Sequence, residues 1–404
     1  MPRTFAPPSN LEPISALLPS CPVLLMGAGP VPISRQVSDA NRVVINHLGQ
    51  SMTRVVDSVK QLASYALQTE SARVLGVAGP SSAAMEMAIG NLCWPGRRVL
   101  CLVNGVFGAR FAEMAQGLGL DVTVLEGAQS LPVTPAALRA ELARRRYDVV
   151  TMVQGETSSG TFTQDLPELC ALTRAHGALS IVDAVVTLTT VPFYMDAWNV
   201  DVVITGGQKG LGCIPGISLC AFSPEAWDTV LRHPGPRPHW CLDAIRADRF
   251  WGEHRYHYTA PVPAVLALRE ALRLVAEETL ERRIERHRVS SVALQAGIEA
   301  MGLRLAVAPA ARLSSVVAIE VPPGIDSAAV RAHMVDTFGV EISGGIGRDL
   351  FRIGQMGEQC RPMHTLAALH ALGTSLVVCG FPANVAQGMA AFESTLAQEG
   401  GRYL

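Results

Sequence analysis

The chain has 404 residues, of which 49% are apolar and 17% charged, and its formal net charge is −2. This length allows two or three domains, and the composition argues against a disordered protein, a nucleic-acid-binding protein and a membrane protein, because no basic stripe and no uninterrupted apolar span is present. The start of the sequence lacks a signal pattern and the nine cysteines lack metal-binding spacing, so we expect a cytoplasmic protein with free thiols and no metal site.

The first part of the chain is predicted to lie outside the main core. Residues 1–22 are rich in Pro and Ser and lack periodicity, so they are predicted to form an N-terminal arm. An apolar run follows and ends in a glycine–proline turn at 27–32. Apolar residues at helical spacing then predict a helix over 51–69.

From residue 74 the sequence alternates short apolar runs with segments of helical spacing. The predicted strands are 74–78, 98–103, 122–125, 149–153, 179–182, 200–205 and 218–222. The predicted helices are 83–93, 109–118, 134–145 and 166–175. This alternation predicts an α/β fold, in which a mostly parallel seven-stranded sheet is covered by helices and forms a large domain over 23–265. Polar, glycine-rich segments follow several of the strands, so we expect a ligand site at the carboxyl edge of the sheet.

The C-terminal part is predicted to be a separate, smaller unit. Residues 232–257 are rich in Pro, Trp, His and Arg and predict irregular structure. A long helix is predicted over 263–300, with a possible break near Glu278. Shorter elements then follow: strands 315–321, 340–342 and 350–353, and helices 327–338, 363–379 and one after Pro382. Together, residues 266–404 are predicted to form a linking helix and a small α+β domain.

Lys209 is the first candidate catalytic residue. The chain contains only two lysines, Lys60 and Lys209, against 31 arginines, so a lysine set among glycines and apolar residues is unusual here. A desolvated lysine amine, unlike a guanidinium, can lose its proton and attack a carbonyl. A Schiff-base lysine is therefore one interpretation, and an ordinary loop or helix-start lysine is the other.

Five further residues have both a functional and a structural interpretation. Asp183 ends an apolar strand and could pair with a cationic ring nitrogen or cap a helix. Ser81 and Ser82 begin a helix, where they could bind phosphate or simply act as caps. Phe107 could lie against a cofactor ring or pack in the core, and Arg352 could bind a carboxylate or form a surface ion pair. The combination fits pyridoxal phosphate acting on an amino acid.

Motifs in one continuous order carry a family resemblance. They are GAGPVP, NHL around His47, GPSSAAMEMAIGNL, NGVFGAR, QGETSSG, VDAV, GGQKGLGCIPG, RYHYTAP with ALREAL, and SGGIGRDLFRIGQMGE. In these motifs the chain resembles the class V, fold-type I aminotransferases that depend on pyridoxal 5'-phosphate, in particular the alanine–glyoxylate and serine–glyoxylate group.

The resemblance implies a role for each matching residue. Lys209 would be the Schiff-base lysine and proton carrier, and Asp183 would pair with the pyridine nitrogen. The remaining cofactor contacts would come from Phe107 stacking on the ring, Ser158 near Asp183, Ser81, Ser82 and Gln208 at the phosphate, and Tyr256 and Thr259 at the phosphate of a neighbouring subunit. The α-carboxylate of the substrate would be bound by Arg352, helped by Gly29 and Gly345, with His47 also at the substrate. The resemblance therefore implies a homodimer with shared active sites.

The expected activity is transamination between a small amino acid of the alanine or serine type and glyoxylate or a similar 2-oxo acid. Similarity to the ureidoglycine–glyoxylate branch makes (S)-ureidoglycine an alternative donor, although His47 and Tyr256 resemble the alanine or serine branch. A cysteine desulfurase-like lyase using Cys360 and a cofactor-binding protein without turnover are further alternatives. The chain departs from the family pattern at Pro80, Val186 and Tyr258.

Overall fold

The structure, a computed structural model, describes residue 6 and residues 11–127 and 131–400. Its strands are, in chain order, β1 (Leu24–Leu25), β2 (Arg73–Ala78), β3 (Arg98–Val103), β4 (Asp121–Glu126), β5 (Val149–Val153), β6 (Gly155–Glu156), β7 (Thr161–Phe162), β8 (Leu179–Asp183), β9 (Val202–Gly206), β10 (Ile217–Phe222), β11 (Val316–Glu320), β12 (Val340–Glu341), β13 (Ser343–Gly344) and β14 (Leu350–Gly354).

Several of the helices begin at a residue whose side chain accepts a hydrogen bond from the first helical turn. The helices are α1 (Ile14–Leu17), α2 (Arg35–Ala40), α3 (Gln50–Leu67), α4 (Ser81–Leu92), α5 (Val106–Gly117), α6 (Pro135–Arg144), α7 (Leu166–His176), α8 (Pro224–Leu231), α9 (Ala244–Trp251), α10 (Val262–Glu278), α11 (Leu280–Ala300), α12 (Ser327–Phe338), α13 (Pro362–Val378) and α14 (Val385–Gly400). Thr134, for example, accepts a hydrogen bond from the N–H of Ala137, and Pro135 occupies the first helical position of α6, where its missing N–H costs nothing.

The main sheet has seven strands in the order β2-β10-β9-β8-β5-β3-β4, which confirms the predicted sheet. Strand β10 is antiparallel to both of its neighbours, and the other pairs are parallel. Three of its interior strands, β5, β9 and β10, are buried along their whole length, as expected for a sheet covered on both faces. Six strands therefore end at one edge, and the polar segments that follow them meet there.

The described apolar residues form two main cores. One surrounds the seven-stranded sheet, and the other lies among α11, α13, β11 and β14, where the three-stranded sheet has the order β11-β14-β13. Strand β1 pairs with β12, and Met26 packs in the second core, so the chain contributes to that core before it enters the main sheet. The domain boundaries at 22/23 and 265/266 stay a prediction.

Several local differences separate the structure from the sequence-based expectation. The stretch 232–257, predicted to be irregular, contains α9, whose start is capped by the carboxylate of Asp243. Helix α2 was not predicted, and α5 begins at Val106, so Phe107 lies in the first helical turn and not in a loop. The predicted break near Glu278 is confirmed, since α10 ends there. Nine residues of the predicted N-terminal arm, 1–5 and 7–10, lie outside the described residues.

Candidate functional site

Lys209 lies in the turn that follows β9, at the carboxyl edge of the main sheet. Its ammonium donates a hydrogen bond to the backbone oxygen of Ala28. A β-carbon on Gly29 would lie 2.5 Å from the lysine nitrogen, so the segment before Pro30 approaches the amine as only glycine allows. Burial, reinforced by the charge of Arg352 and opposed by that of Asp183, lowers the pKa of Lys209 to about 8. A substantial fraction of the amine is therefore neutral near physiological pH.

Asp183 is the last residue of β8 and is 5% exposed. One carboxylate oxygen accepts a hydrogen bond of 2.8 Å from the N–H of Val185. Burial raises the pKa of Asp183 to about 7; the charge of Glu156 adds to this effect, and those of Arg110 and Lys209 oppose it. A carboxylate held in this way is poised to bind a cationic partner that restores its charge.

The start of α4 forms a small polar cradle with the turn that carries Lys209. The amide of Gln208 donates to the hydroxyl of Ser81 at 3.3 Å. A β-carbon on Gly206 would lie 1.9 Å from that hydroxyl oxygen, so glycine is required for the close approach. Among the described residues, the amide oxygen of Gln208 is buried without a hydrogen-bond partner. Ser82 accepts a hydrogen bond of 2.9 Å from Arg110, and a helix start of this kind favours an anion.

Glu156 organises the opposite wall and was not among the predicted site residues. One of its carboxylate oxygens accepts hydrogen bonds from the N–H groups of Phe107 (3.0 Å) and Gly108 (3.3 Å). The other accepts from the N–H and the hydroxyl of Ser158. The guanidinium of Arg110 lies 4.7 Å from the centre of the Phe107 ring. Glu156 thus fixes the first turn of α5 and the ring that it carries.

Arg352 reaches the site from the centre of β14. It is 6% exposed, donates from Nε to the oxygen of Gly344 (2.8 Å) and donates from Nη1 to the oxygen of Thr157 (2.7 Å). A surface ion pair is therefore the wrong interpretation of this residue. Burial lowers the pKa of Arg352, and the charge of Glu156 opposes the shift. A guanidinium buried against neutral carbonyls is a natural receptor for a carboxylate.

The structure brings six predicted residues to one cavity of about 230 Å³. They are Ser81, Ser82, Phe107, Asp183, Gln208 and Lys209. Thr157, whose carbonyl accepts from Arg352, also lines the cavity. The cavity is therefore bounded by a lysine, a carboxylate, an aromatic ring and a helix start, with a buried arginine close by.

The other predicted residues lie elsewhere in the isolated chain. Tyr256 is 59% exposed and meets the half-buried His47 edge to face, with 5.8 Å between the ring centres. Thr259 is also exposed. Gly345 is tightly packed, since a β-carbon there would lie 2.0 Å from the backbone oxygen of Arg348, whereas the neighbouring Gly344 is the residue bonded to Arg352.

The sequence contains a signal for Glu156 and another for Arg110, although neither residue was among the predicted site residues. Glu156 lies in QGETSSG, directly after a buried strand, and an acidic residue in that place is itself a signal of a buried, multiply bonded carboxylate. Arg110 is three residues beyond Phe107 on the same helix, a spacing that places both side chains on one face. Within residues 6, 11–127 and 131–400, no group of three His, Cys, Asp or Glu is placed to hold a metal ion, and no helix is long and apolar enough to cross a bilayer.

Comparison with solved structures first defines the class. The ureidoglycine–glyoxylate aminotransferase from Bacillus subtilis superposes with a TM-score of 0.90 at 29% identity, over 94% of this chain and 99% of that one. The alanine–glyoxylate aminotransferase from Nostoc sp. superposes with a TM-score of 0.87 at 34% identity, over 91% and 97%. The fold is therefore the fold-type I architecture of aminotransferases, as predicted.

Sequence comparison then defines the family. Residues 34–371 match Aminotransferase class-V. The alanine–glyoxylate aminotransferase of Felis catus is 32% identical over 365 residues, which are 88% of each protein. The chain belongs to the class-V aminotransferase family and is an aminotransferase, and this family implies dependence on pyridoxal phosphate.

Proposed function

We propose that this aminotransferase moves an amino group from a small amino acid of the alanine or serine type to glyoxylate or a similar 2-oxo acid. The observation that carries the proposal is the joint placement of two groups: Lys209, whose partly neutral amine lines one small cavity, and the buried Arg352, which donates to the carbonyl of Thr157 at that cavity. The amine can move a proton, and the guanidinium can bind a carboxylate.

The residues around the cavity fit pyridoxal 5'-phosphate. The start of α4, with Ser81 and Ser82, would hold the phosphate together with Gln208, whose buried amide oxygen lacks a partner among the described residues. Asp183 would bind the protonated ring nitrogen, Phe107 would lie against the ring, and Ser158 would contribute its hydroxyl. When bound, the cofactor supplies an electron sink for negative charge on the substrate α-carbon.

Lys209 would hold and move the proton in this site. Its pKa of about 8 lies close to the pH at which a general base works best. The neighbouring carbonyl of Ala28 accepts from the ammonium and directs it toward the loop that contains Gly29. Arg352 supplies the positive charge that both lowers the pKa of the lysine and receives the substrate carboxylate.

The size of the cavity supports a small substrate. A volume of about 230 Å³ is below the range of roughly 300–1,000 Å³ that is common for ligand pockets, and the cofactor would take up much of it. Val186 also lines the cavity, and its branched side chain limits the space for the substrate. Gly29, which approaches the amine of Lys209, and Gly345, which follows the residue bonded to Arg352, would leave room for a carboxylate, as the family resemblance implies.

(S)-Ureidoglycine is the second candidate donor. The (S)-ureidoglycine–glyoxylate transaminase of Bacillus subtilis is 31% identical over 378 residues, and the solved structure of a ureidoglycine–glyoxylate aminotransferase from that organism superposes over almost its whole length. His47 and Tyr256, which pack edge to face, are the two positions at which the chain resembles the alanine or serine branch instead. They would separate the two donors.

The positions of the remaining residues support a homodimer with shared sites. Tyr256 and Thr259 are exposed on the isolated chain and would reach the phosphate of a neighbouring subunit. Leu11, Ile14 and Leu17 in the N-terminal arm are each more than half exposed, and an apolar arm of this kind gains by packing on a partner. The nine cysteines are free, which supports a cytoplasmic, reducing location.

A desulfurase activity has little support. Cys360 is fully buried, and burial raises the pKa of its thiol to about 11 despite the nearby arginines. A nucleophilic thiol needs exposure and a lowered pKa. The buried thiol is therefore a structural residue in this proposal.

The test is an amino-donor screen on the purified protein loaded with pyridoxal phosphate. Alanine, serine, glycine and (S)-ureidoglycine are each supplied, and the cofactor is assayed for conversion to pyridoxamine phosphate. Turnover is then followed as the 2-oxo product, with glyoxylate as acceptor for every donor except glycine. We expect alanine or serine to react fastest, and no conversion with any donor would refute the proposal. Lys209→Ala should fold and lose turnover, and borohydride should fix the cofactor to the Lys209 peptide only in the parent protein.

A further inference from the structure

A buried ion cluster lies where α10 ends and α11 begins. We name Glu278, Arg283 and Arg286 the junction cluster. Arg283 donates to Glu278 at 2.9 Å, and Arg286 donates to both oxygens of the same carboxylate at 2.6 and 2.9 Å. Arg283 is 5% exposed and Arg286 is 8% exposed, so one carboxylate balances two desolvated cations. Hydrogen bonds from Arg286 and the charges of both arginines outweigh burial and lower the pKa of Glu278 to about 2.

Arg283 connects the junction cluster to the turn that carries Lys209, the proposed catalytic lysine. Arg283 donates from Nη2 to the backbone oxygen of Gly210 at 3.0 Å and from Nε to the hydroxyl of Thr189 at 3.2 Å. Thr189 in turn donates to the same oxygen of Gly210 at 2.7 Å. Gly210 directly follows Lys209, and a β-carbon on it would lie 2.3 Å from the oxygen of Leu188. The turn that carries the lysine is therefore held from both sides.

Arg286 connects the junction cluster to the turn that follows β14, the strand that carries Arg352. Arg286 donates from Nη1 to the backbone oxygen of Gly357 at 2.9 Å. The N–H of Gly357 donates to the ring of His287 at 3.0 Å, so both polar groups of this residue are bound by α11. Gly357 lies three residues beyond the end of β14, the strand that places Arg352 in the site.

We propose that the junction cluster is a positioning unit, which fixes the amine of Lys209 relative to the guanidinium of Arg352. This inference rests on the proposed roles of those two residues. Lys209 follows a strand of the main sheet and Arg352 lies in the three-stranded sheet, so contacts between these two parts of the fold set their separation, and the junction cluster is one such contact beside the bond from Arg352 to Thr157. The junction cluster joins them through two hydrogen-bonded carbonyls. Without the Glu278 charge, two buried guanidinium groups repel each other, and their bonds to the carbonyls of the two turns are displaced.

Glu278→Gln tests this inference, with Glu270→Gln as the matched control. Glu270 lies on the same helix and also binds an arginine, Arg273, but that pair is more exposed and touches neither turn. We expect Glu278→Gln to lower kcat/KM about 10- to 100-fold, because displacements of about 1 Å at a reacting centre have effects of that size. The control should keep the parent value.

A second readout separates positioning from general damage to the fold. Competitive acetylation of the full-length protein, freed of cofactor and analysed by peptide mass at a series of pH values, gives the pKa of each lysine. The chain has only Lys60 and Lys209, so the two peptides are unambiguous. We expect the pKa of Lys209 to rise from about 8 in Glu278→Gln, because the amine moves away from Arg352 and gains water. Lys60 serves as the internal reference.

Thr189→Val keeps the inference testable if Glu278→Gln does not fold. This change removes only the hydroxyl between Arg283 and Gly210 and should raise the pKa of Lys209 in the same direction by a smaller amount. An unchanged pKa and unchanged kcat/KM in a folded variant would overturn the inference. If the parent protein transaminates but Glu278→Gln behaves like Glu270→Gln, only the positioning role fails. If the parent transaminates no donor, the proposed function fails, and the acetylation result still reports on the cluster.

Discussion

Replacing Asp183 with asparagine should stabilise the protein when it lacks cofactor. Asp183 is buried at the end of β8, and only its bond from the N–H of Val185 directly favours the ionised form. Asparagine keeps an oxygen that can accept this bond and has nearly the same shape. The substitution therefore removes a desolvated charge and leaves the local packing unchanged.

The size of the gain follows from the pKa. Burial raises the pKa of Asp183 from 3.8 in the unfolded chain to about 7 in the folded protein. At a pH above both of these pKa values, this difference lowers the free energy of unfolding by about 4 kcal/mol. In the unfolded chain the carboxyl ionises near its ordinary pKa, while the folded protein retains the proton. The free energy of unfolding therefore falls as pH rises from about 4 to about 7. Asp183→Asn lacks this dependence and should be about 4 kcal/mol more stable at pH 8 and equal to the parent near pH 4.

Urea denaturation of the cofactor-free protein at pH 4.5, 6 and 8 measures this difference. Asp39→Asn is the control, because that carboxylate is exposed and its ion pairs with Arg35 and Arg42 lie at the surface, where such pairs contribute little. With pyridoxal phosphate bound the sign should reverse, since asparagine cannot neutralise a protonated ring nitrogen, and the variant should bind the cofactor more weakly. If Asp183→Asn were no more stable than the parent at pH 8 without cofactor, the reasoning would be refuted.

Three further predictions concern neighbouring parts of the site and of the fold. Glu156→Gln should lower the free energy of unfolding by about 1–3 kcal/mol, because the new amide nitrogen must face one of the two pairs of donors that now bind the carboxylate. The variant should also bind pyridoxal phosphate more weakly, as measured by quenching of protein fluorescence. Unchanged binding would show that Glu156 is not part of the site. Thr279→Gly should raise the unfolding free energy by about 1 kcal/mol in urea denaturation, since Thr279 has φ +68° and ψ 150°, a strained conformation for a side chain-bearing residue. Cys360→Ser should keep transamination, and sulfide release from cysteine that disappeared in this variant would instead revive the desulfurase alternative.

The main sheet could be predicted from the sequence because its strands are buried on both faces. Runs such as 149–153 and 202–206 are wholly buried, so they read as uninterrupted apolar segments between polar loops. Helix α9 could not be predicted in the same way. Its stretch contains Trp251 and Asp248, both buried, and Asp248 binds Arg73 on β2. A helix stabilised by contacts with a distant strand carries a weak local signal.

The same distinction separates the predicted site residues from the missed ones. Lys209 and Asp183 follow apolar strands directly, so the topology of a parallel sheet places them at one edge. Glu156 also follows a strand, but its importance depends on four donors, two of them on the separate helix α5 and two on Ser158 in its own loop. The junction cluster depends on Gly210 and Gly357, which are 147 residues apart in the sequence. Neither the local apolar pattern of the sequence nor the spacing of its motifs shows that these two glycines are linked.

Lys209, Arg352 and Asp183 share one property, which links the energetics of the fold to its function. Burial disfavours the charged form of each: the pKa of Lys209 and that of Arg352 are lowered, and the pKa of Asp183 is raised. A core selected for stability alone would not place three such groups together. A ligand set with a cationic ring, a phosphate and a carboxylate would compensate Asp183, the start of α4 and Arg352 respectively. The cost of burying these charges therefore argues, independently of any sequence similarity, for a ligand that carries the complementary charges.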